Sequence, residues 1–201
     1  MKNFASLAFS DEVKSLQEKH GSRKAYERME KQSMVDGLSA YEVDFIGQRD
    51  SFYMASIGEN GFPYIQHRGG PKGFIKVIDA NTIGFLDFSG NKQFITVGNL
   101  ATHHNVSLII MDYATRRRLK MYAKTEVVDL KAQPELLKLL ALDDYHASPE
   151  RIMILHIEAY DWNCPQHITV RFSHQEIENL MAPQREYIKK LELELKQLKG
   201  E

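Results

Sequence analysis

The sequence predicts a mainly β, α+β protein in which six or seven antiparallel strands close into a barrel, with helices at the periphery and at the C-terminus. Between residues 50 and 162, short segments rich in β-branched and aromatic residues alternate with turn sequences such as Gly58-Glu59-Asn60-Gly61. Most of the connections are short enough for hairpins. Closing such a sheet on itself removes its exposed edges, which favours a barrel.

The composition restricts the class of protein. The chain has 201 residues with 43% hydrophobic content, enough for one domain with appendages, and 26 basic against 27 acidic residues. A net charge of −1 gives no reason to expect nucleic-acid or membrane binding. The single cysteine, Cys164, cannot form an intramolecular disulfide, and no signal peptide or membrane-spanning run is evident. We therefore expect a cytoplasmic protein.

Three segments are predicted along the chain: an N-terminal helical segment (1–48), a barrel domain (49–172) and a C-terminal amphipathic helix (173–201). Helices are expected at 10–21, 23–31 and 38–48, and, within the barrel domain, at 94–104 and in a crossover at 133–142. The predicted strands are 50–57, 62–68, 74–79, 82–88, 106–112, 117–129 and 151–162.

The C-terminal segment begins with a capping-box pattern formed by Ser173 and Glu176. Further along, leucine and isoleucine recur at heptad spacing over two repeats, at Ile188, Leu191, Leu195 and Leu198. Two heptads do not hold a coiled coil together unaided. We expect this helix to pack on its own barrel or on a second subunit, and a surface amphipathic helix is the alternative.

Residues 62–100 contain the most informative turn, Arg-Gly-Gly-Pro-Lys-Gly at 68–73. Glycines allow backbone N–H groups to approach an anion, and Arg68 offers a planar fork for phosphate oxygens. The spacing fits neither a P-loop nor a Rossmann turn, and a strand is expected after it. An ordinary surface loop with glycines at positive φ is the alternative interpretation.

The run HRGGPKGFIKVID, followed by TIGFLDFSGNKQF and GNL, resembles the FMN-binding core of the pyridoxamine 5'-phosphate oxidase-related flavoproteins. The likeness covers residues 40–172. It implies a split β-barrel, FMN as the cofactor, and a homodimer that builds the FMN pocket from both subunits. It also implies an oxidoreductase acting on a small molecule, with NAD(P)H as an electron donor to be tested.

The resemblance implies particular contacts for the flavin. Arg68 and Lys76 open and close the strand segment that lies along it, with Gly73, Phe74 and Ile75 supplying backbone contacts. Lys76 as an outward-facing strand residue is the alternative. In the second loop, the strand end and the basic turn are expected to contact the ring and the phosphate; these residues are Asp87, Phe88, Lys92 and Gln93, with Thr96 and Asn99 competing for the phosphate. Lys92 as a solvated charge is the alternative there.

By the same resemblance, Arg118 falls where the family usually has a flavin-contacting glutamine, and its charge is expected to favour the anionic reduced flavin. Trp162, together with Gln166 or His167, is expected to reach the same pocket; a core tryptophan is the alternative. The family's Arg-x-His-Asp-Arg substrate segment is absent, which argues against pyridoxamine phosphate as the substrate.

Other chemistries have weaker support. The histidines and the single cysteine form no pattern of metal ligands, so no metal site is predicted. The basic run from Arg116 to Arg118 lacks the aromatic platform of a nucleic-acid site. Two alternatives to an enzyme stay open: a flavin-holding or redox-sensing module without turnover, and haem binding through a histidine.

Overall fold

The structure is a computed structural model that describes residues 1–32, 36–143, 145–162 and 165–199. The described residues form two compact units. The first contains residues 1–112 together with the described residues from 117 to 162, and the second contains residues 113–116 together with those from 165 to 199. The first unit thus holds the N-terminal helices as well as the whole sheet.

Seven strands form one antiparallel sheet in the order β2-β1-β5-β6-β7-β4-β3. The predicted fold class is confirmed, and all seven predicted strands are present. Their bounds are β1 (Ser51–Ile57), β2 (Pro63–Gly69), β3 (Lys76–Asp79), β4 (Thr82–Phe88), β5 (Asn105–Asp112), β6 (Arg117–Val128) and β7 (Pro149–Trp162).

Alternation along the central strands places one face of the sheet in the core. On β6, for example, Leu119, Met121, Ala123 and Thr125 are buried, whereas the residues between them are less so. Side chains on successive strand residues point to opposite faces, so this period of two defines an inner and an outer face. Each buried aliphatic side chain contributes roughly 1.5–3 kcal/mol through removal from water.

The sheet curls until its two edges approach each other. Arg68 on the edge strand β2 binds Asp87 on β4, which lies next to the opposite edge strand β3. No backbone pairing joins β2 to β3 in the part of the chain that the structure describes. The result is a barrel that is split along one seam.

The strand β3 is two residues shorter than predicted, whereas β1 and β6 are each shorter by one residue. β3 begins at Lys76 and not at residue 74, because the chain is still in a turn there: the backbone N–H of Phe74 donates to the carbonyl oxygen of Pro71 at 3.0 Å. The preceding Gly73 has a φ of 81°, a left-handed conformation that turns the chain before the strand starts.

Seven helices accompany the sheet in the described ranges. The first helix was not predicted, because its five residues are too few to show a periodic pattern. Its N-cap residue Asn3 connects it to the third helix, since the Asn3 side-chain amide donates to the carbonyl oxygens of Met29 and Glu30. The helix bounds are α1 (Phe4–Ala8), α2 (Asp11–Lys19), α3 (Arg23–Gln32), α4 (Ala40–Gly47), α5 (Ile95–Leu100), α6 (Pro134–Leu140) and α7 (His174–Lys199).

Helix α7 belongs to the second unit and begins with the predicted capping box. The backbone N–H of Ser173 donates to the Glu176 carboxylate at 2.7 Å, and the N–H of Glu176 donates to the Ser173 hydroxyl at 3.2 Å. The helix continues through Pro183. Among the described residues, no helix combines the length and the apolar character needed to cross a bilayer.

Candidate functional site

A cavity of about 210 Å³ lies at the seam of the barrel, where the ends of β2 and β4 and the start of β7 meet the loop before α5. We call it the seam cavity. Its lining residues are Tyr64, Gln66, Arg68, Asp87, Phe88, Gly90, Asn91, Lys92, Gln93, Phe94, Ile95, Thr96, Val97, Glu150 and Arg151.

Asp87 is the centre of an ionic network on the wall of this cavity. Its side chain is 5% exposed, and its two carboxylate oxygens bind different guanidinium groups. Oδ1 accepts from Nη1 of Arg68, and Oδ2 accepts from Nη1 of Arg151 at 2.7 Å. Arg151 also binds Glu150 at 2.6 Å. With Lys92, the cavity carries three cationic and two anionic side chains, so its net charge favours an anionic ligand.

One hydrogen-bond donor of the Arg68 guanidinium, its Nε, is unpartnered in the part of the chain that the structure describes. Its side chain is 12% exposed, and its Nε is buried with no hydrogen-bond partner among the described residues. A buried N–H without an acceptor costs free energy that a bound oxygen would recover. Because a guanidinium donates in a planar fork, Arg68 is suited to the oxygens of a phosphate group.

The loop between β4 and α5 has an uncommon backbone. Lys92 and Phe94 adopt φ values of 59° and 55°, in the left-handed region that non-glycine residues rarely occupy. The loop is held locally, since the Gln93 N–H donates to the Asn91 side chain at 3.2 Å. The Arg151 guanidinium lies 5.3 Å from the centre of the Phe94 ring. Such strain is typical of functional loops whose side chains must point to one place.

Thr96 and Asn99, the two alternative phosphate-binding residues predicted from the sequence, lie in different places. Thr96 is buried on the seam cavity, and its hydroxyl donates to Oε1 of Gln66 at 2.9 Å. Asn99 lies one turn further along α5 and lines a neighbouring open groove, where its amide donates to the Ser56 hydroxyl at 3.0 Å. Of the two, only Thr96 lines the same cavity as Arg68.

The glycine-rich turn contributes packing to this region. Phe74 and Ile75 are buried in the core, and a Cβ on Gly70 would lie 2.8 Å from Cβ and Cγ of Phe74. Gly70 therefore allows the turn to close over Phe74. Lys76 pairs with Gly84 at the start of β3. None of Gly73, Phe74, Ile75 and Lys76 is among the residues that line the seam cavity.

Trp162 packs within the first unit in a different place. Its indole N–H donates to Oε1 of Glu42 at 2.7 Å, and its ring meets that of Phe45 edge-on at 4.6 Å. Burial alone would raise the pKa of Glu42, but hydrogen bonds from Ser39 and Trp162 outweigh it and lower the pKa. Burial and the neighbouring Glu42 carboxylate together raise the pKa of Tyr160 to about 12.

Two groups of predicted site residues are thus far apart within one chain. Trp162 lies on the same strand as Arg151, which lines the seam cavity with Arg68 and Asp87; the two residues are eleven positions apart, which corresponds to roughly 35 Å. Arg118 lies at the Trp162 end, because the next residue, Leu119, pairs with Trp162. The Nε of Arg118 is buried and, within the described ranges, has no hydrogen-bond partner. Gln166 belongs to the second unit, and residues 163 and 164 lie outside the described residues.

Sequence reasoning missed Arg151, Glu150 and Phe94. Arg151 precedes a long apolar run, so it reads as an ordinary charge at the beginning of a strand. The one feature that could have identified Arg151 is its position opposite Asp87 in the pairing of β4 with β7, because oppositely charged residues are favourable at paired positions of neighbouring strands.

The fold and this site define a split β-barrel protein whose seam cavity is lined by more cationic than anionic side chains. The family model of pyridoxamine 5'-phosphate oxidase matches residues 40–160. The chain therefore belongs to the pyridoxamine 5'-phosphate oxidase family, and the resemblance carried by its two loop motifs is confirmed.

The chain is similar to several solved structures. HupZ from Group A Streptococcus is 16% identical with a TM-score of 0.51, covering 67% of this chain and 99% of that one. An FMN-binding protein from Syntrophomonas wolfei is 12% identical (TM-score 0.48, 72% and 96% covered). A pyridoxinephosphate oxidase family protein from Clostridium acetobutylicum is 14% identical (TM-score 0.45, 67% and 92%). No curated protein matches the sequence.

Proposed function

We propose that the protein is an FMN-binding flavoprotein and that the seam cavity holds the phosphate of FMN. The observation that carries the proposal is the meeting of Arg68, Lys92, Arg151 and the Thr96 hydroxyl at one cavity, in a chain of this family. A phosphate monoester carries about two negative charges and three acceptor oxygens near neutral pH, which matches cationic forks beside a hydroxyl.

In this proposal Asp87 holds Arg68 in position until a phosphate binds. In the structure the Asp87 carboxylate occupies Nη1 of Arg68, which keeps the guanidinium oriented toward the seam. A bound phosphate would take over this donor together with the unpartnered Nε, while Arg151 retains Asp87. The exchange replaces one anion with another, so no buried charge is left without a partner.

We infer further that the complete site needs two copies of the chain. Arg118 and Trp162 lie too far along the sheet from Arg151 to reach the same FMN within one chain, but a second copy can bring its own Arg118 and Trp162 to the seam. The β1–β2 hairpin offers an apolar surface for such an interface: Phe62 and Ile65 are 75% and 64% exposed. A homodimer with FMN at its interface is the assembly that we propose.

Bound flavin would supply the electron transfer, and the chain would bind and orient it. Arg68 and Lys92 would hold the phosphate end, and Arg118 would place a positive charge near the ring, which favours an electron-rich reduced state. The substrate that fits this proposal is a small molecule other than pyridoxamine phosphate, reduced or oxidised beside the ring. NAD(P)H is the electron donor that we propose to test first.

Spectroscopy of the purified protein tests the proposal directly. We expect an absorption band at about 450 nm and release of FMN, identified by mass spectrometry, on denaturation. Bleaching by NAD(P)H and reoxidation in air would support an oxidoreductase, whereas bound flavin that no nicotinamide reduces would support a flavin-holding module. A colourless protein that does not bind FMN at micromolar concentration would refute flavin binding, and a Soret band would indicate haem.

A further inference from the structure

Helix α7 carries an apolar stripe that is exposed along its whole length. No residue of the helix is buried, in the part of the chain that the structure describes. The stripe follows alternating steps of four and three residues, and only Gln184 interrupts it. Its members are Ile177, Met181, Ile188, Leu191, Leu195 and Leu198, each at least 40% exposed. A stripe of this kind is stable in water when a partner covers it.

Charged residues follow one edge of this stripe in strict alternation. Glu178, Arg185, Glu192 and Lys199 are seven residues apart, so they occupy equivalent positions beside the stripe, with signs of minus, plus, minus and plus. The other edge holds Leu180, Tyr187 and Glu194. In coiled coils, residues at these flanking positions select the partner and its orientation.

We propose that α7 pairs with α7 of a second copy of this chain in antiparallel orientation. When Ile188 of one helix packs against Leu191 of the other, the alternating edges of the two helices lie side by side. Arg185 then meets Glu192 of the partner, and Glu178 meets Lys199. By symmetry this makes four attractive contacts and no repulsive contact along that edge.

A parallel pairing of the two helices would form fewer pairs of opposite charge. It places Arg185 beside Leu180 of the other copy and Glu192 beside Tyr187, leaving Glu194 with Lys199 as the only oppositely charged pair. It does stack Gln184 on Gln184, which satisfies both amides. By symmetry the Glu194–Lys199 pair occurs twice, against four charge pairs in the antiparallel arrangement, and charge complementarity decides the orientation.

The overlap is long enough to form a short coiled coil. Antiparallel pairing from Glu178 to Lys199 covers 22 residues of each helix, roughly 33 Å. Helix α7 continues through Pro183, whose side chain falls on the outward side; the bend that an interior proline favours lies near one end of the overlap, and 16 of the 22 residues follow it. The capping box at Ser173 and Glu176 fixes the start of the helix. The inference does not depend on flavin, because it rests on α7 alone.

Disulfide trapping in the full chain distinguishes the orientations. In a Cys164→Ser background, Met181→Cys and Leu198→Cys are introduced together, and the protein is oxidised at low concentration. We expect a covalent dimer in which peptide mass analysis finds residue 181 joined to residue 198. Within one helix these residues are roughly 26 Å apart, too far for a disulfide. Links joining equal positions, or no covalent dimer, would overturn the proposal.

A charge exchange then tests the contacts themselves. In the same background, Arg185→Glu should lower the yield of the 181–198 link about 10-fold. Adding Glu192→Arg should restore the yield, because the pairs re-form with reversed signs. Lys189→Glu, on the outward side, is the matched control and should leave the yield unchanged. A double variant that stays as weak as the single one would contradict the pairing, and unchanged circular dichroism would exclude unfolding as its cause.

Discussion

Asp87 and Arg151 are paired residues of β4 and β7, and Nη1 of Arg151 donates to Oδ2 of Asp87 at 2.7 Å. The second oxygen of Asp87 binds Arg68 from the opposite edge of the sheet. One buried carboxylate thus connects the two sides of the seam. Because removing one member of a buried ionic network leaves the others uncompensated, this contact contributes both to the closure of the barrel and to the charge of its cavity.

Arg68→Ala should weaken FMN binding about 30- to 100-fold, since it removes a charge-assisted fork to the phosphate. Riboflavin, which has no phosphate, should bind the wild type and the variant equally. Fluorescence titration of both ligands measures the difference. Arg28→Ala, on the exposed side of α3, is the control and should change neither affinity. Equal losses for FMN and riboflavin would place Arg68 away from the phosphate.

Asp87→Asn should have opposite effects on binding and on stability. The variant keeps the shape of the side chain but removes the negative charge that faces Arg68 and Arg151. We expect inorganic phosphate and FMN to bind about 10-fold more tightly, and the free energy of unfolding to fall by about 3 kcal/mol. Calorimetric titration and urea unfolding measure the two quantities. Weaker phosphate binding would mean that Asp87 mainly orients Arg68.

Mixed dimers test whether two chains share one site. Arg68→Ala and Arg118→Ala should each reduce FMN binding when present in both copies. In a heterodimer of the two variants, one site has both arginines and the other has neither. Random mixing should therefore restore about one quarter of the sites. Flavin absorbance per chain after mixing in denaturant and refolding gives the fraction, and no recovery would argue for sites contained in single chains.

Gly70→Ala should lower the free energy of unfolding by about 1–3 kcal/mol, because the new methyl group would overlap the buried Phe74 side chain. Gly98→Ala is the matched control. It lies inside α5 with no atom within 4 Å of the new Cβ, so the higher helix propensity of alanine should leave stability unchanged or raise it by up to about 1 kcal/mol. Urea unfolding of the two variants measures both changes. Equal stability of the two variants would show that the turn can move away from Phe74.

The raised pKa of Tyr160 predicts a loss of stability in alkali. Above the ordinary pKa of 10.0 the unfolded chain ionises this phenol, whereas the folded chain keeps it neutral up to about pH 12. The folded state then binds more protons, so the free energy of unfolding falls as the pH rises through this interval. In the Tyr160→Phe variant, the free energy of unfolding should decrease over this pH interval by roughly 1 kcal/mol less than in the wild type, after allowance for solvent screening. Urea unfolding on either side of pH 10.0 measures it, with Tyr187→Phe on the exposed face of α7 as the control.

Much of the architecture was predictable because it depends on local signals. The Asn60-Gly61 turn, the alternation along the central strands and the Ser173–Glu176 capping box each depend on neighbouring residues. Arg68, Asp87, Lys92 and Thr96 were predicted from the loop motifs, and the structure brings them to one cavity.

The remainder depends on contacts between residues distant in sequence. Arg151 reaches the seam cavity only through the pairing of β7 with β4, 64 residues away from Asp87 in the chain. In the same way, the Glu42 carboxylate that binds the Trp162 indole lies 120 residues from it. Neither partner shows a periodic pattern, so the sequence gives no local sign of these contacts.

The length of β7 has a consequence for how related chains can diverge. The strand carries Arg151 near its beginning and Trp162 at its end. Between these two positions its pairing with β6 has one irregularity, opposite Tyr122 and Ala123, and a second irregularity lies in its pairing with β4, opposite Asp87 and Phe88. Inserting or deleting a single residue between Arg151 and Trp162 would turn one of them to the opposite face of the sheet. Changes in the length of this strand should therefore occur in steps of two residues, or together with an additional bulge that restores the phase.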